Sequence, residues 1–123
     1  MRVFQLTLLA SAALAIMAPI TARAGDPWGA IALDTELAER QPYYGVGGGA
    51  TEQQATETAL KFCKEAGGAM CTVMVAYEAC GAIAVSGTEH AGWGKAPTKT
   101  QAEAQAVAGC HHDNCQVLAS DCN

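Results

Sequence analysis

The sequence predicts an α+β fold in which a strand–strand–helix–strand unit occurs twice and forms one mixed, mainly antiparallel sheet with two helices packed on it. The tetrapeptide Gly-Ala-Ile-Ala occurs at residues 29–32 and again at residues 81–84. A Gly-rich tract follows each copy, and a helical pattern that begins with Thr and ends in Cys follows each tract. We therefore expect two internal repeats, at about residues 28–80 and 81–122, that share one core.

The strands are predicted from short apolar runs. Residues 28–33 have strand length, and residues 82–85 repeat this run with a β-branched pair. Residues 71–77 alternate between two valines on one face and smaller or polar side chains on the other, and residues 116–119 are their shorter counterpart. With a Gly-rich strand after the first run, each copy is expected to follow the order strand, Gly-rich strand, helix, strand, which gives a sheet of about four to six strands.

The helices are predicted from two capping boxes. Thr51 with Gln54, and Thr98 with Gln101, place a hydroxyl and an amide where they satisfy free N–H groups at a helix N-terminus. A stripe of small residues follows each box at matching positions, which lets a helix lie close to a sheet. The stripes are Ala55, Ala59, Phe62 and Cys63 in the first copy, and Ala102, Ala106, Gly109 and Cys110 in the second.

The glycine tract at residues 45–49 permits a second interpretation, a phosphate-binding loop, because it precedes a helix. However, the tract lacks the Gly-Lys-Ser/Thr sequence and the dinucleotide-binding fingerprint that accompany phosphate binding. The corresponding tract at residues 92–94 is shorter still. An edge strand or bulge whose backbone passes close to a helix is the better interpretation.

The N-terminus has the pattern of a cleaved signal peptide over residues 1–24. Arg2 supplies a positive charge, an apolar segment follows, and Ala-Arg-Ala at residues 22–24 fits a cleavage site. A transmembrane anchor is the alternative, but the segment is short, contains Pro19 and is not followed by a basic cluster. We therefore expect a single mature domain, residues 25–123, in the periplasm or outside the cell.

The charge of the expected mature chain is strongly acidic. Removal of the leader leaves five basic and 12 acidic residues, a net charge of −7. Nucleic acid and anionic membrane surfaces are poor partners for such a chain, whereas a basic protein is favoured. The alternative is that the charge only maintains solubility. Asp34, Glu36 and Glu39 in a predicted loop, together with Trp93, are the candidate partner-binding residues.

An even number of cysteines in a small exported domain predicts disulfide bonds. The sequence contains six, which permit 15 pairings. A pairing that follows the repeat gives one short bond within each copy and one long bond that joins the copies. The predicted bonds are Cys63–Cys71 and Cys110–Cys115 within the copies, and Cys80–Cys122 between them. A zinc site would need free thiolates and a familiar ligand spacing, and neither is expected here.

The residues best suited to metal binding or catalysis are His111, His112 and Asp113. A Cys110–Cys115 bond would hold them in a tight loop, where they could bind a transition metal, with His90 as a further ligand. Adjacent histidines usually diverge, however, and histidines at a helix end commonly interact with the terminal carbonyl groups.

The order of these motifs resembles the bacterial secreted domain-of-unknown-function family 4189. In this chain the pattern is carried by residues 28–32, Cys63, Cys71, residues 80–84, residues 92–94, Cys110, Cys115 and Cys122. The first glycine tract lacks the Trp that the family often places there. The resemblance implies export and the fold, and it brings no established catalytic residues.

These observations favour a small exported binding protein that blocks or sequesters another protein in the bacterial envelope or outside the cell. A periplasmic inhibitor or an immunity-type protein has this character. We expect no enzymatic activity and no cofactor. The alternative is a metal-binding protein or an enzyme that uses the loop of residues 111–113, with Glu89 as a further carboxylate.

Overall fold

The computed structural model describes residues 25–36, 42–87 and 90–123. The predicted signal peptide and Glu39 lie outside these residues. The described strands are β1 (Trp28–Asp34), β2 (Tyr44–Gly49), β3 (Cys71–Tyr77), β4 (Cys80–Ser86), β5 (His90–Ala96) and β6 (Gln116–Cys122), and the helices are α1 (Glu52–Ala66) and α2 (Lys99–Cys110). The predicted strand–strand–helix–strand order therefore occurs twice along the described chain.

The strands form two antiparallel sheets, with the orders β2-β1-β3 and β5-β4-β6. The α+β class and the duplicated unit are confirmed, but the strands do not join into the one mixed sheet that we expected. The reason lies in the central strands, which are apolar on both faces. Ala30 faces a helix while Ile31 faces the other way, so a single sheet with helices on one face would leave Ile31 in water. A second sheet covers it instead.

The core accordingly has three parts, which define four layers in the order α1, first sheet, second sheet, α2. The outer parts consist of small residues between a sheet and its helix: Ala30, Ala32, Ala55, Ala59 and Cys63 on one side, and Cys80, Ala82, Ala84, Ala102, Ala106 and Cys110 on the other. The central part contains larger residues between the sheets: Ile31, Leu33, Val75, Tyr77 and Ile83. The two copies therefore share the central layer, which is the common core that the repeat predicts.

Each helix lies directly on the glycine-rich edge strand of its copy. A Cβ atom on Gly45 or Gly47 would collide with the backbone of α1 at Ala59, and one on Gly92 would collide with the backbone of α2 at Ala106. Glycine is required because only a backbone without side chains allows this approach. Residues 45–49 thus form an edge strand whose backbone passes close to the side of α1, so the edge-strand interpretation is confirmed.

Both helices begin at the Thr residues that the capping boxes predict. Thr51 Oγ1 accepts a hydrogen bond of 3.2 Å from the N–H of Gln54, and Gln54 Oε1 accepts one of 3.0 Å from the N–H of Ala50. Thr98 Oγ1 accepts a bond of 3.3 Å from the N–H of Gln101. The two bonds to Thr hydroxyls satisfy N–H groups that the first turn of a helix leaves free, and the bond from Ala50 fixes the residue before the cap.

The three disulfides are Cys63–Cys71, Cys110–Cys115 and Cys80–Cys122, the pairs expected from the repeat. The long bond, however, does not join the two copies. Cys80 opens β4 and lies opposite Cys122 of β6 in the same sheet, so both cysteines belong to the second copy. Cys80 precedes Gly81 as Trp28 precedes Gly29, which makes Trp28 its counterpart. The expectation that the Cys80–Cys122 bond joins the two copies is therefore wrong.

Candidate functional site

The Cys110–Cys115 bond holds the predicted histidine loop at the end of α2. His111 caps this helix in the left-handed conformation, with φ of 58°, and its backbone N–H donates a 3.3 Å hydrogen bond to the carbonyl oxygen of Ala108. Both His112 and Asp113 are exposed. The loop thus presents its polar side chains to solvent, and its backbone ends the helix.

One of these histidines, His112, contacts the first residue of strand β5. The imidazole ring of His112 stacks on that of His90, with ring centroids 3.4 Å apart and planes inclined by 24°. Within residues 25–36, 42–87 and 90–123, no group of three or more His, Cys, Asp or Glu side chains is arranged to hold a metal ion. The predicted ligands His111, His112 and Asp113 therefore do not converge on a metal site there. Glu89 lies outside the described residues.

The first strand of each copy ends in a buried polar residue, and the two residues occupy matching positions. Ser86 ends β4, and its hydroxyl donates a 2.5 Å hydrogen bond to Oδ1 of Asn114, the residue before Cys115. Asp34 ends β1, and its Oδ1 accepts a 3.3 Å bond from the N–H of Met70, the residue before Cys71. Each residue thereby holds the segment that leads into the last strand of its copy.

This arrangement corrects the interpretation of Asp34 as a surface contact. The sequence places Asp34 at the start of a polar loop, but the structure buries it completely as the last residue of β1. Besides Met70, its Oδ1 accepts a 3.1 Å hydrogen bond from the N–H of Glu36. Glu36 is exposed, as a contact residue must be. Turns use Asp in this way because its short side chain reaches backbone N–H groups nearby.

Trp93 is the most conspicuous candidate contact that the sequence identifies. It lies on the edge strand β5 with 49% of its surface exposed. Its neighbours Gly92 and Gly94 face α2, so the alternation of a strand directs the Trp93 side chain to the opposite face of the sheet. A large exposed side chain on a regular strand is thus available for contact.

The structure adds exposed apolar residues that the sequence did not identify. Phe62 was expected in the buried stripe of α1, but it is 46% exposed, because the close approach of β2 leaves room only for Ala55, Ala59 and Cys63. The large apolar side chains exposed in the described residues are Tyr44, Phe62, Met70, Trp93, Val107 and Val117. The i+7 position of a helical stripe lies at its border, and this is the only sequence signal that could have identified Phe62.

Among the described residues, no helix is long and apolar enough to cross a membrane. Every cysteine of the chain is in a disulfide, which is typical of proteins from an oxidising compartment such as the periplasm or the extracellular space.

Comparison with known protein families identifies the family of this chain. No curated protein and no solved structure is significantly similar to this chain. The family model described as Domain of unknown function (DUF4189) matches residues 28–122, which include every described strand and helix. The chain therefore belongs to the family described as Domain of unknown function (DUF4189).

Proposed function

We propose that this chain is a small exported, disulfide-stabilised binding protein that blocks or sequesters another protein, as a periplasmic inhibitor or an immunity-type protein does. The observation that supports this function is the exposure of Trp93, at 49% of its surface, on a strand of a crosslinked fold. Trp is among the residues that contribute most binding energy at protein interfaces.

The backbone that carries Trp93 is held on both sides. Trp93 pairs with Ile83 in the sheet register, and the glycines on either side of it lie against α2. The backbone N–H of Lys95 donates a 3.2 Å hydrogen bond to Oε1 of Gln105 on that helix. A rigid strand loses little conformational entropy when its side chain enters a partner's pocket, and this favours binding.

Charge indicates the chemistry of the partner. The net charge is −5 for the whole chain and −7 for the expected mature chain, so a partner with a basic surface would be attracted. Glu36 is an exposed acidic residue of the predicted contact loop, whereas the carboxylate of Asp34 is buried. Association with a basic partner would slow as the salt concentration rises, because salt screens the attraction.

The chemically capable side chains support binding over catalysis. The Ser86 hydroxyl is buried and donates to an amide oxygen instead of to a base, which is not the arrangement of an activated nucleophile. Ser120 donates a 2.7 Å hydrogen bond to Oε1 of Glu103, and no thiol is free. Within the described part of the chain, Ser120 therefore pairs directly with a carboxylate, without the histidine that acts as the base of a Ser-His-Asp triad, and Ser86 pairs with no base.

Affinity purification from an envelope extract tests the proposal with matched variants. The wild-type protein and Val107→Ala, which removes an apolar residue that is 37% exposed on α2, should retain the same basic protein. Trp93→Ala should retain at least tenfold less, because an interface Trp commonly contributes about 2 kcal/mol or more. Equal retention by Trp93→Ala would overturn the role of this surface. Stoichiometric metal in the purified protein, with no retained partner, would favour the metal-dependent alternative.

A further inference from the structure

We propose that a cleft between the two copies binds a small zwitterionic ligand, a free amino acid or a short peptide. The cleft has a volume of about 270 Å³. This is slightly below the range of about 300–1,000 Å³ for small-molecule sites, so it suits a small ligand. Its lining combines apolar side chains with one carboxylate and one ammonium group: Trp28, Ala76, Tyr77, Glu78, Ala79, Cys80, Lys95 and Ala96.

The two copies differ in chemistry at the cleft. Trp28 precedes Gly29 of β1, and Glu78 follows Tyr77 of β3. The corresponding positions in the second copy hold Cys80 and Cys122, which form a disulfide. In the second copy a disulfide therefore joins strands β4 and β6 at this place, whereas the first copy has an aromatic residue and a carboxylate there.

Lys95 shows the same divergence. In the second copy Lys95 of β5 lies opposite Gly81 of β4. In the first copy the residue opposite the equivalent Gly29 is Gly48 of β2. The second copy therefore has a lysine, which lines the cleft, where the first copy has a glycine. Together with Glu78, it brings both signs of charge to one small cavity.

These charges are available to a ligand. Within the described ranges of the chain, neither Glu78 nor Lys95 takes part in an ion pair, although both line the same cleft. A molecule with an ammonium and a carboxylate group could satisfy Glu78 and Lys95 together, while its apolar part contacts the small side chains of Ala79 and Ala96.

The wall that carries Glu78 is rigid before a ligand binds. Asn123 Nδ2 donates hydrogen bonds of 3.4 Å to the carbonyl oxygen of Tyr77 and 3.0 Å to that of Glu78. The backbone N–H of Asn123 donates a further bond of 2.9 Å to the carbonyl oxygen of Ala79. A preorganised wall lowers the entropic cost of binding, which matters most for a small ligand.

The two tryptophans of the chain allow a direct test by NMR, because each gives one indole N–H signal. Trp28 lines the cleft, and Trp93 serves as an internal control on β5. The probes are glycine, β-alanine and L-alanyl-L-alanine, in which the separation of the two charges increases. At least one probe should shift the Trp28 signal saturably, with a Kd of about 1 mM, and leave Trp93 unchanged. A Trp93→Phe variant assigns the two signals.

Capped probes and matched variants test the charge recognition. For the probe that binds, the N-acetylated and amidated forms should bind about two- to fivefold more weakly, the effect typical of an exposed ion pair. Lys95→Met should weaken the binding of the parent probe by the same factor and leave the binding of the amidated probe unchanged. Lys99→Met, a change on α2, should alter the binding of neither probe. Equal binding of parent and capped probes, or no shift of Trp28 by any of the three zwitterions, would overturn the proposal. Neither result depends on the protein partner proposed for Trp93.

Discussion

The hydroxyl of Tyr77 donates a 2.6 Å hydrogen bond to Oδ2 of Asp121, and these two residues occupy equivalent positions in the two copies. Tyr77 lies opposite Gly29 in the first sheet, and Asp121 lies opposite Gly81 in the second. The bond therefore joins each copy to the other at matching points of its last strand. Burial raises the pKa of Tyr77 well above its ordinary value, and the hydrogen bond to Asp121 and its charge raise it further.

The glycines of the repeated Gly-Ala-Ile-Ala tetrapeptide make room for this tyrosine. A Cβ atom on Gly29 or on Gly81 would collide with the Tyr77 ring. The ring thus contacts both copies at once, and the duplicated glycine that first indicated the repeat has a packing role in each of them.

Removing the Tyr77 hydroxyl should destabilise the fold. We expect Tyr77→Phe to lower the free energy of unfolding by about 1–3 kcal/mol, because it leaves the partly buried carboxylate of Asp121 without this donor. Urea denaturation monitored by circular dichroism measures the change. Tyr44→Phe is the control, since Tyr44 is 38% exposed, and it should shift stability by less than about 0.5 kcal/mol. Equal effects of the two substitutions would contradict a central role for the hydrogen bond.

The raised pKa of Tyr77 predicts a loss of stability at high pH. The tyrosine ionises near pH 10 in the unfolded chain, whereas the folded protein keeps its proton at that pH. The stabilisation is complete below pH 10, and above it the free energy of unfolding should fall by up to about 1.4 kcal/mol per pH unit. Denaturation curves at pH 8 to 11 test this, with Tyr77→Phe for comparison. The variant should show a shallower decline over the same range, and parallel curves would rule out Tyr77 as the source.

The close contact between β2 and α1 predicts that Gly47 tolerates no side chain. Gly47→Ala should cost about 1–3 kcal/mol, because the added methyl group forces the strand and the helix backbone apart. Gly87→Asn is a suitable control. Gly87 has φ of 52°, which Asn also adopts, and a Cβ atom there meets nothing within 4 Å. Thermal melting should show a large decrease for the first variant and little change for the second.

The disulfides should differ in their contribution to stability. Cys80 and Cys122 are 42 residues apart, and Cys110 and Cys115 are five residues apart. In the chain-entropy estimate these loops correspond to about 4 and about 2 kcal/mol. Replacing both members of the long bond with Ala should therefore lower the melting temperature more than replacing both members of the short bond.

Peptide mapping without reduction provides the control for this comparison. A fragment that joins Cys80 to any cysteine other than Cys122 would remove its basis. The reverse order of melting temperatures would instead show that the loop at the end of α2 contributes more than its length suggests.

The sequence was informative wherever a local pattern determines the structure. The capping Thr residues and the glycine-rich edge strands follow from backbone geometry over a few residues, and they appear in the structure. The helical stripes appear as well, except that Phe62 and Gly109 are exposed. The number of sheets depends instead on what covers Ile31 and Ile83, which lie far apart in the chain. Local patterns contain no information about that contact, and a single sheet was therefore the simpler expectation.

The candidate contact residues show the same limit. Trp93 is among the candidate contact residues named from the sequence, and its exposure follows from its place on an edge strand. Asp34 was assigned to a loop by its polarity, but its burial depends on a hydrogen bond to Met70, 36 residues away. Long-range partners of this kind cannot be inferred from one sequence.

The disulfides have a mechanical consequence. Each of the three bonds lies within one copy, so no covalent crosslink spans the apolar layer between the two sheets. A pulling force applied across the two halves would load this layer and the Tyr77–Asp121 hydrogen bond before it loads any sulfur–sulfur bond. The halves should therefore part as two internally crosslinked blocks, and the first rupture should precede the unravelling of either helix.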